Sequence, residues 1–234
     1  MLRSGKRRGL FLKLAATEVV DVVAASGLDF AVVDLEHSQL SEAAALALVR
    51  HARAAGLPAL VRVPAVDRGQ VNRLLEAGAA GLQLSTVRSV AEVRALRAAT
   101  RYAPEGSRSI SLAHPAAGYG ATPLADYLAE RAADPPLLVV QIETATTDDP
   151  LDDVLAAGVD VAFVGTTDLS VDLGLDAARV QARVEEIAAA AERAGIALGG
   201  FGLDDERVTY DVVGSDLALL RTAVARTAEA VAHA

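Results

Sequence analysis

Cysteine and tryptophan are absent from these 234 residues, and there is a single methionine. Without a thiol, disulfides, thiolate catalysis and zinc–thiolate sites are excluded. Aromatic residues make up only 3% of the chain, so Ala, Val and Leu must fill its core. Positive charge is also scarce: 22 Lys and Arg stand against 31 Asp and Glu, for a net charge of −9. Such a chain lacks the cations that neutralise phosphates, and no nucleic-acid partner is expected. An anionic substrate needs only one local Arg or a metal. No run approaches the roughly 18 uninterrupted apolar residues of a membrane span. The basic start from Arg3 to Arg8 is followed by only a few apolar residues before Lys13. No signal peptide is therefore expected, and the expected location is cytoplasmic.

What is present is alternation. The apolar fraction of 52% fills a sizeable core, and the length suits one domain over residues 1–234. Short apolar runs rich in β-branched residues recur at 9–14, 30–34, 59–63, 80–84, 137–142, 161–164, 196–200 and 209–213. Between them lie helical patterns. Thr17, Ser41, Asp67 and Ser89 are placed to cap helices ending near 25, 55, 77 and 100. Further helices are expected at 124–131, 151–156, 177–194 and 217–232, with none between 164 and 177. Residues 102–122 form a long loop broken by Pro and Gly, a kind that often carries function. Strands alternating with helices in this number predict a single-domain (β/α)8 TIM barrel. The rival is an open doubly wound sheet, but no Gly-rich phosphate fingerprint follows the first strand.

Barrel active sites lie at the carboxyl ends of the strands. Here strand 30–34 runs into Asp34, Glu36 and His37. Strand 59–63 holds Arg62, strand 137–142 runs through Gln141 to Glu143, and strand 161–164 leads to Asp168. These ends are expected to converge. Glu143 and Asp168 are carboxylates that repel unless a proton or cation separates them. Hard divalent ions take oxygen ligands, so Mg2+ or Mn2+ fits better than zinc, with Co2+ a third candidate. The plainer reading is an ion pair with a nearby Arg, or a helix cap. His37 is a candidate base that needs a carboxylate to fix its tautomer, Glu76 being one candidate; alternatively it is a surface or core histidine. Arg62 is either a clamp on a substrate carboxylate or enolate oxygen or a structural partner of Asp34 or Glu36. Lys13 is the one lysine near such a strand end, which speaks against Schiff-base chemistry.

Several of these segments, taken together, carry a family resemblance. Asp34-Leu35-Glu36-His37 is similar to the Asp-Gly-Glu-His segment of the HpcH/HpaI aldolases, the metal-dependent class II pyruvate aldolases. Val61-Arg62-Val63-Pro64, Leu74 to Gly78, Thr100 to Gly106, Val140 to Thr144 and Gly165 to Ser170 keep that family's order. The resemblance implies Glu143 and Asp168 as metal ligands, Arg62 on the keto or enolate oxygen, His37 as base and Glu76 as the acid orienting it. It implies Gln141 near the ligand, Phe11 as an aromatic wall, Thr166 and Thr167 beside the metal, and, with the residue reading, Asp34 and Glu36 as supports behind the site. It further implies a homo-oligomer, a dimer exchanging the last helix or a hexamer of such dimers. The implied reaction cleaves a 4-hydroxy-2-oxo acid to pyruvate and an aldehyde. The alternatives are oxaloacetate decarboxylation or another enolate reaction, and a non-catalytic ligand-binding barrel. The chain departs from the family at Leu35 (usually Gly), Ser85 (Pro), Ser109 (Gly) and Thr166-Thr167 (commonly Pro-Ala), and its 111–122 loop lacks arginine.

Overall fold

The computed structural model describes residues 5–232, so Arg3 lies outside the described residues. Eight strands are present: β1 (Arg7–Leu12), β2 (Phe30–Asp34), β3 (Ala59–Val63), β4 (Gly81–Leu84), β5 (Leu137–Ile142), β6 (Val161–Val164), β7 (Ala197–Phe201) and β8 (Val208–Ser215). Each pairs in parallel with the next, and β8 closes on β1. The fold is a (β/α)8 TIM barrel, and closure excludes the open sheet. Around it lie α1 (Thr17–Ala25), α2 (Glu42–Ala54), α3 (Arg68–Ala77), α4 (Val90–Thr100), α5 (Leu124–Ala133), α6 (Leu151–Ala156), α7 (Thr166–Asp172), α8 (Ala177–Ala194) and α9 (Asp216–Ala232).

Ser41, Asp67 and Ser89 each accept a backbone N–H at a helix start, and Ser89 closes a capping box with Glu92. Thr17 does not cap: it is the first residue of α1, and Ala16 holds the cap position with no side-chain bond. α7 was not expected. Its Thr-Thr-Asp-Leu-Ser sequence is a poor helix former, but Leu169 is fully buried and Asp172 accepts the Ala145 N–H at 2.6 Å. The long loop contains a 3₁₀ turn, Pro115–Gly120.

The two-residue period of the strands sorts side chains between two cores. Leu10, Ala31, Val33, Val61, Leu138, Val140 and Ala162 point outward to the helices. Phe11, Phe30, Val32, Leu60, Val139, Phe163 and Tyr210 fill the barrel itself. Space inside is tight. Phe30 stacks on Tyr210 at 4.5 Å, and a Cβ at Gly9 would run into the Phe30 ring. Only Asp216 of α9 is buried, while Leu217, Leu219, Leu220, Val224 and Val231 stand exposed. Among the described residues no helix is long and apolar enough to cross a membrane.

Candidate active site

The inward parity continues past the apolar filling and brings the polar residues together. In β2, Phe30 and Val32 face in, so Asp34 does too; in β3, Leu60 is followed two residues on by Arg62. In β5, Leu137 and Val139 lead to Gln141 and then Glu143, and in β1 Phe11 leads to Lys13. Each polar group sits at the carboxyl end of an inward row.

Asp34 is fully buried and organises one side of the mouth. Arg62 grips it with two bonds, Nε to Oδ1 at 2.9 Å and Nη2 to Oδ2 at 2.6 Å. Lys13 Nζ donates to Oδ2 at 2.5 Å and to the His37 carbonyl at 2.8 Å. The backbone N–H groups of Glu36 and His37 donate to Oδ1, which fixes the turn after β2. Burial by itself would raise the Asp34 pKa, but the bonds and charges of Arg62 and Lys13 outweigh it and hold the carboxyl well below its ordinary range. Glu36 Oε2 lies 3.2 Å from Arg62 Nη1 and 3.8 Å from His37 Nε2. Arg62 therefore has both structural partners weighed from sequence. It also lines the cavity, with its guanidinium 4.5 Å from the Phe11 ring centre.

Across the mouth stand Glu143 and Asp168. Glu143 is 3% exposed. Its Oε1 accepts from Thr86 N at 2.8 Å and Thr86 Oγ1 at 2.6 Å, and its Oε2 accepts a short bond from Gln141 Nε2. Gln141 in turn accepts from Gln83 Nε2 at 2.8 Å. Gly165 is obligatory beside it, since a Cβ there would lie 2.7 Å from Glu143 Cβ. Asp168, in the first turn of α7, is exposed and has no bonded partner among the described residues.

Two recesses share His37 and Asp168. One, of about 250 Å³, is walled by Phe11, Phe163 and Phe201, with Lys13, Arg62 and Thr167 at its edge. The other, about 350 Å³, is lined by Glu36, Thr86, Glu143 and Asp172. A slightly larger hollow, of about 380 Å³, lies near the start of β5, away from these residues. Gln141 and Thr166 line the first recess. Glu76 lines neither. It sits at the end of α3, which runs back toward the opposite end of the barrel, and accepts a bond from Asn72 at 3.2 Å. Within one chain the carboxylate facing the His37 ring is Glu36, not Glu76. Sequence reading passed over Thr86, Gln83, Phe163 and Phe201. Gln83 carried a signal, as the one polar residue inside the apolar run of β4.

Among the described residues no cluster of three His, Cys, Asp or Glu is preformed around a metal position. The donor set still fits a hard divalent ion: Glu143 and Asp168 lie on one recess, Asp168 with no bonded partner among the described residues, and there is room for water or substrate oxygens.

The sequence profile of the family described as HpcH/HpaI aldolase/citrate lyase matches residues 7–228. The chain belongs to this family. It is 35% identical over 207 residues to a hydroxypyruvate/pyruvate aldolase of Paraburkholderia phytofirmans, covering 84% of this chain and 78% of that one. It is 36% identical over 197 residues to a 4-hydroxy-4-methyl-2-oxoglutarate aldolase of Hapsidospora irregularis, covering 81% and 72%. The crystal structure of an HpcH/HpaI aldolase from Desulfitobacterium hafniense superposes with a TM-score of 0.86 at 30% identity, over 97% of this chain and 93% of that one. As a member of the HpcH/HpaI family the chain is an enzyme, a carbon–carbon lyase of the aldolase kind.

Proposed function

We propose that this lyase is divalent-metal-dependent and cleaves a 4-hydroxy-2-oxo acid to pyruvate and an aldehyde. The observation that carries this reading is the pair Glu143 and Asp168 on a recess that Glu36 and Asp172 also line and that, among the described residues, no Lys or Arg lines. A bound Mg2+ or Mn2+ held by these two residues supplies Lewis-acid polarisation of the 2-oxo group. Arg62 presents its remaining N–H groups to the oxygen that gains charge, and its grip on Asp34 keeps it aimed there. His37, with Glu36 near its ring, accepts the proton of the 4-hydroxyl. The C3–C4 bond breaks, its electron pair moves into the enolate of pyruvate, the aldehyde leaves, and C3 is then protonated. Phe11 and Gln141 wall the oxo-acid end, and Thr166 and Thr167 border it from α7.

Exchange of pyruvate methyl protons with solvent tests this directly, because it needs the enolate and no aldehyde. Exchange followed by NMR is expected with Mg2+ or Mn2+ and absent with chelator. Metal-independent exchange, or none in either condition, refutes the assignment. An aldol panel run beside an oxaloacetate decarboxylation assay separates the two enolate reactions. The exposed leucines of α9 support a homo-oligomer built by packing this helix on a second copy. Light scattering is expected to give a dimer or hexamer, and Leu219→Glu with Leu220→Glu a smaller species.

A further inference from the structure

Thr86 follows β4 with φ +50°, a left-handed conformation that a β-branched residue rarely adopts. The turn is pinned on both sides. Ser85 donates its N–H at 3.2 Å and its hydroxyl at 3.1 Å to the Val63 carbonyl, and Val87 donates to the Gln141 carbonyl at 3.0 Å. Held so, Thr86 aims both its N–H and its hydroxyl at one oxygen, Glu143 Oε1. The other oxygen takes Gln141, whose amide is fixed by the fully buried Gln83. A carboxylate offers about four lone-pair sites, and three of Glu143's are already occupied. Asp168 has none occupied among the described residues.

We infer that Thr86 is a positioning residue that sets how Glu143 binds the divalent ion. With Glu143 as a metal ligand, on which this rests, the Thr86 hydroxyl leaves that carboxylate one free direction. Glu143 then ligates through a single lone pair at a fixed angle, and Asp168 supplies the adaptable contact. The strained backbone persists because it makes this double donation.

Mn2+ binding to the purified full chain, read by calorimetry and by the EPR signal of free Mn2+, tests this without any turnover. Glu143→Gln is expected to abolish binding. Thr86→Ala, which keeps the N–H and loses the hydroxyl, is expected to raise the Kd about 10- to 100-fold. Thr86→Ser restores the hydroxyl and is expected to stay within about threefold of the parent, on the low side of that effect. A Thr86→Ala Kd equal to the parent's, while Glu143→Gln still abolishes binding, overturns the role of Thr86 and leaves the metal site standing. Equal losses in the Ala and Ser variants overturn it as well, because the hydroxyl is then irrelevant. Unchanged binding in Glu143→Gln removes the metal assignment and this role together.

Discussion

On the β1–β3 side of the barrel mouth, Lys13 and Arg62 meet Asp34 and Glu36, and four charges cancel within bonding distance. On the β4–β6 side, Glu143 and Asp168 share a recess, and the groups that reach Glu143 there are neutral: Thr86 and Gln141. The first side is complete in itself. On the second, neither Glu143 nor Asp168 is bonded to a Lys or Arg among the described residues, and in the proposed reading a divalent cation completes it. One side is thus a bonded scaffold that aims Arg62 and the His37 turn, and the other is the proposed receptor. A paired charge quartet and a metal site look alike in sequence, because both read as acids and bases at strand ends. The partners tell them apart.

The largest expected effect lies on the receptor side. Asp168→Asn or Glu143→Gln should lower kcat/KM for pyruvate-forming cleavage by on the order of 1000-fold, with little change in thermal stability. A large stability loss in either variant would mean that this side too is structural. The scaffold side should respond in the opposite way. Arg62→Met leaves Asp34 buried with Lys13 alone, and unfolding in urea should show a loss of about 3–5 kcal/mol. Acid should expose the same asymmetry. Because the folded Asp34 pKa lies below its unfolded value, its pairing stabilises fully above the ordinary carboxylate range, and that stabilisation falls away as pH drops through and below it. The slope of unfolding free energy between about pH 5 and pH 2 should therefore flatten in Asp34→Asn. An unchanged slope would show that other carboxylates dominate acid unfolding. The smallest effect is expected at Lys13, whose ammonium is partly exposed: Lys13→Met should cost about 1 kcal/mol, measured in the same urea series.

Much of this was legible from the chain. β2, β3, β5 and β6 begin and end where expected, because strands covered on both faces are mostly apolar, with the polar Asp34, Arg62 and Gln141 confined to their carboxyl-terminal ends. The ends of β1, β7 and β8 were shifted by one or two residues, since Arg7, Phe201 and Ser215 pair by backbone register rather than by side-chain character. α7 was hidden because a seven-residue helix of Thr, Asp and Ser is held by Leu169 and Asp172, through tertiary contacts that no local pattern encodes. In the site, Asp34, Arg62 and Glu143 stood out as ionisable residues at the ends of apolar strands, and Gln141 through the family resemblance. Within one chain Glu76 does not reach His37, because the end of a barrel helix lies toward the opposite end of the barrel from the strand ends, and there it meets Asn72. Thr86 carried no signal at all; its importance lies in a backbone angle.

The packed floor of the barrel has a kinetic meaning. Phe30, Phe163 and Tyr210 close the space beneath Gln141, with Tyr210 and Phe30 stacked and Phe163 edge-on. In the proposed reading substrate and both products pass through the mouth at the carboxyl ends of the strands. Whichever product lies nearer the floor must wait for the other to leave. Turnover should therefore follow ordered release, with the second product competing directly against fresh substrate.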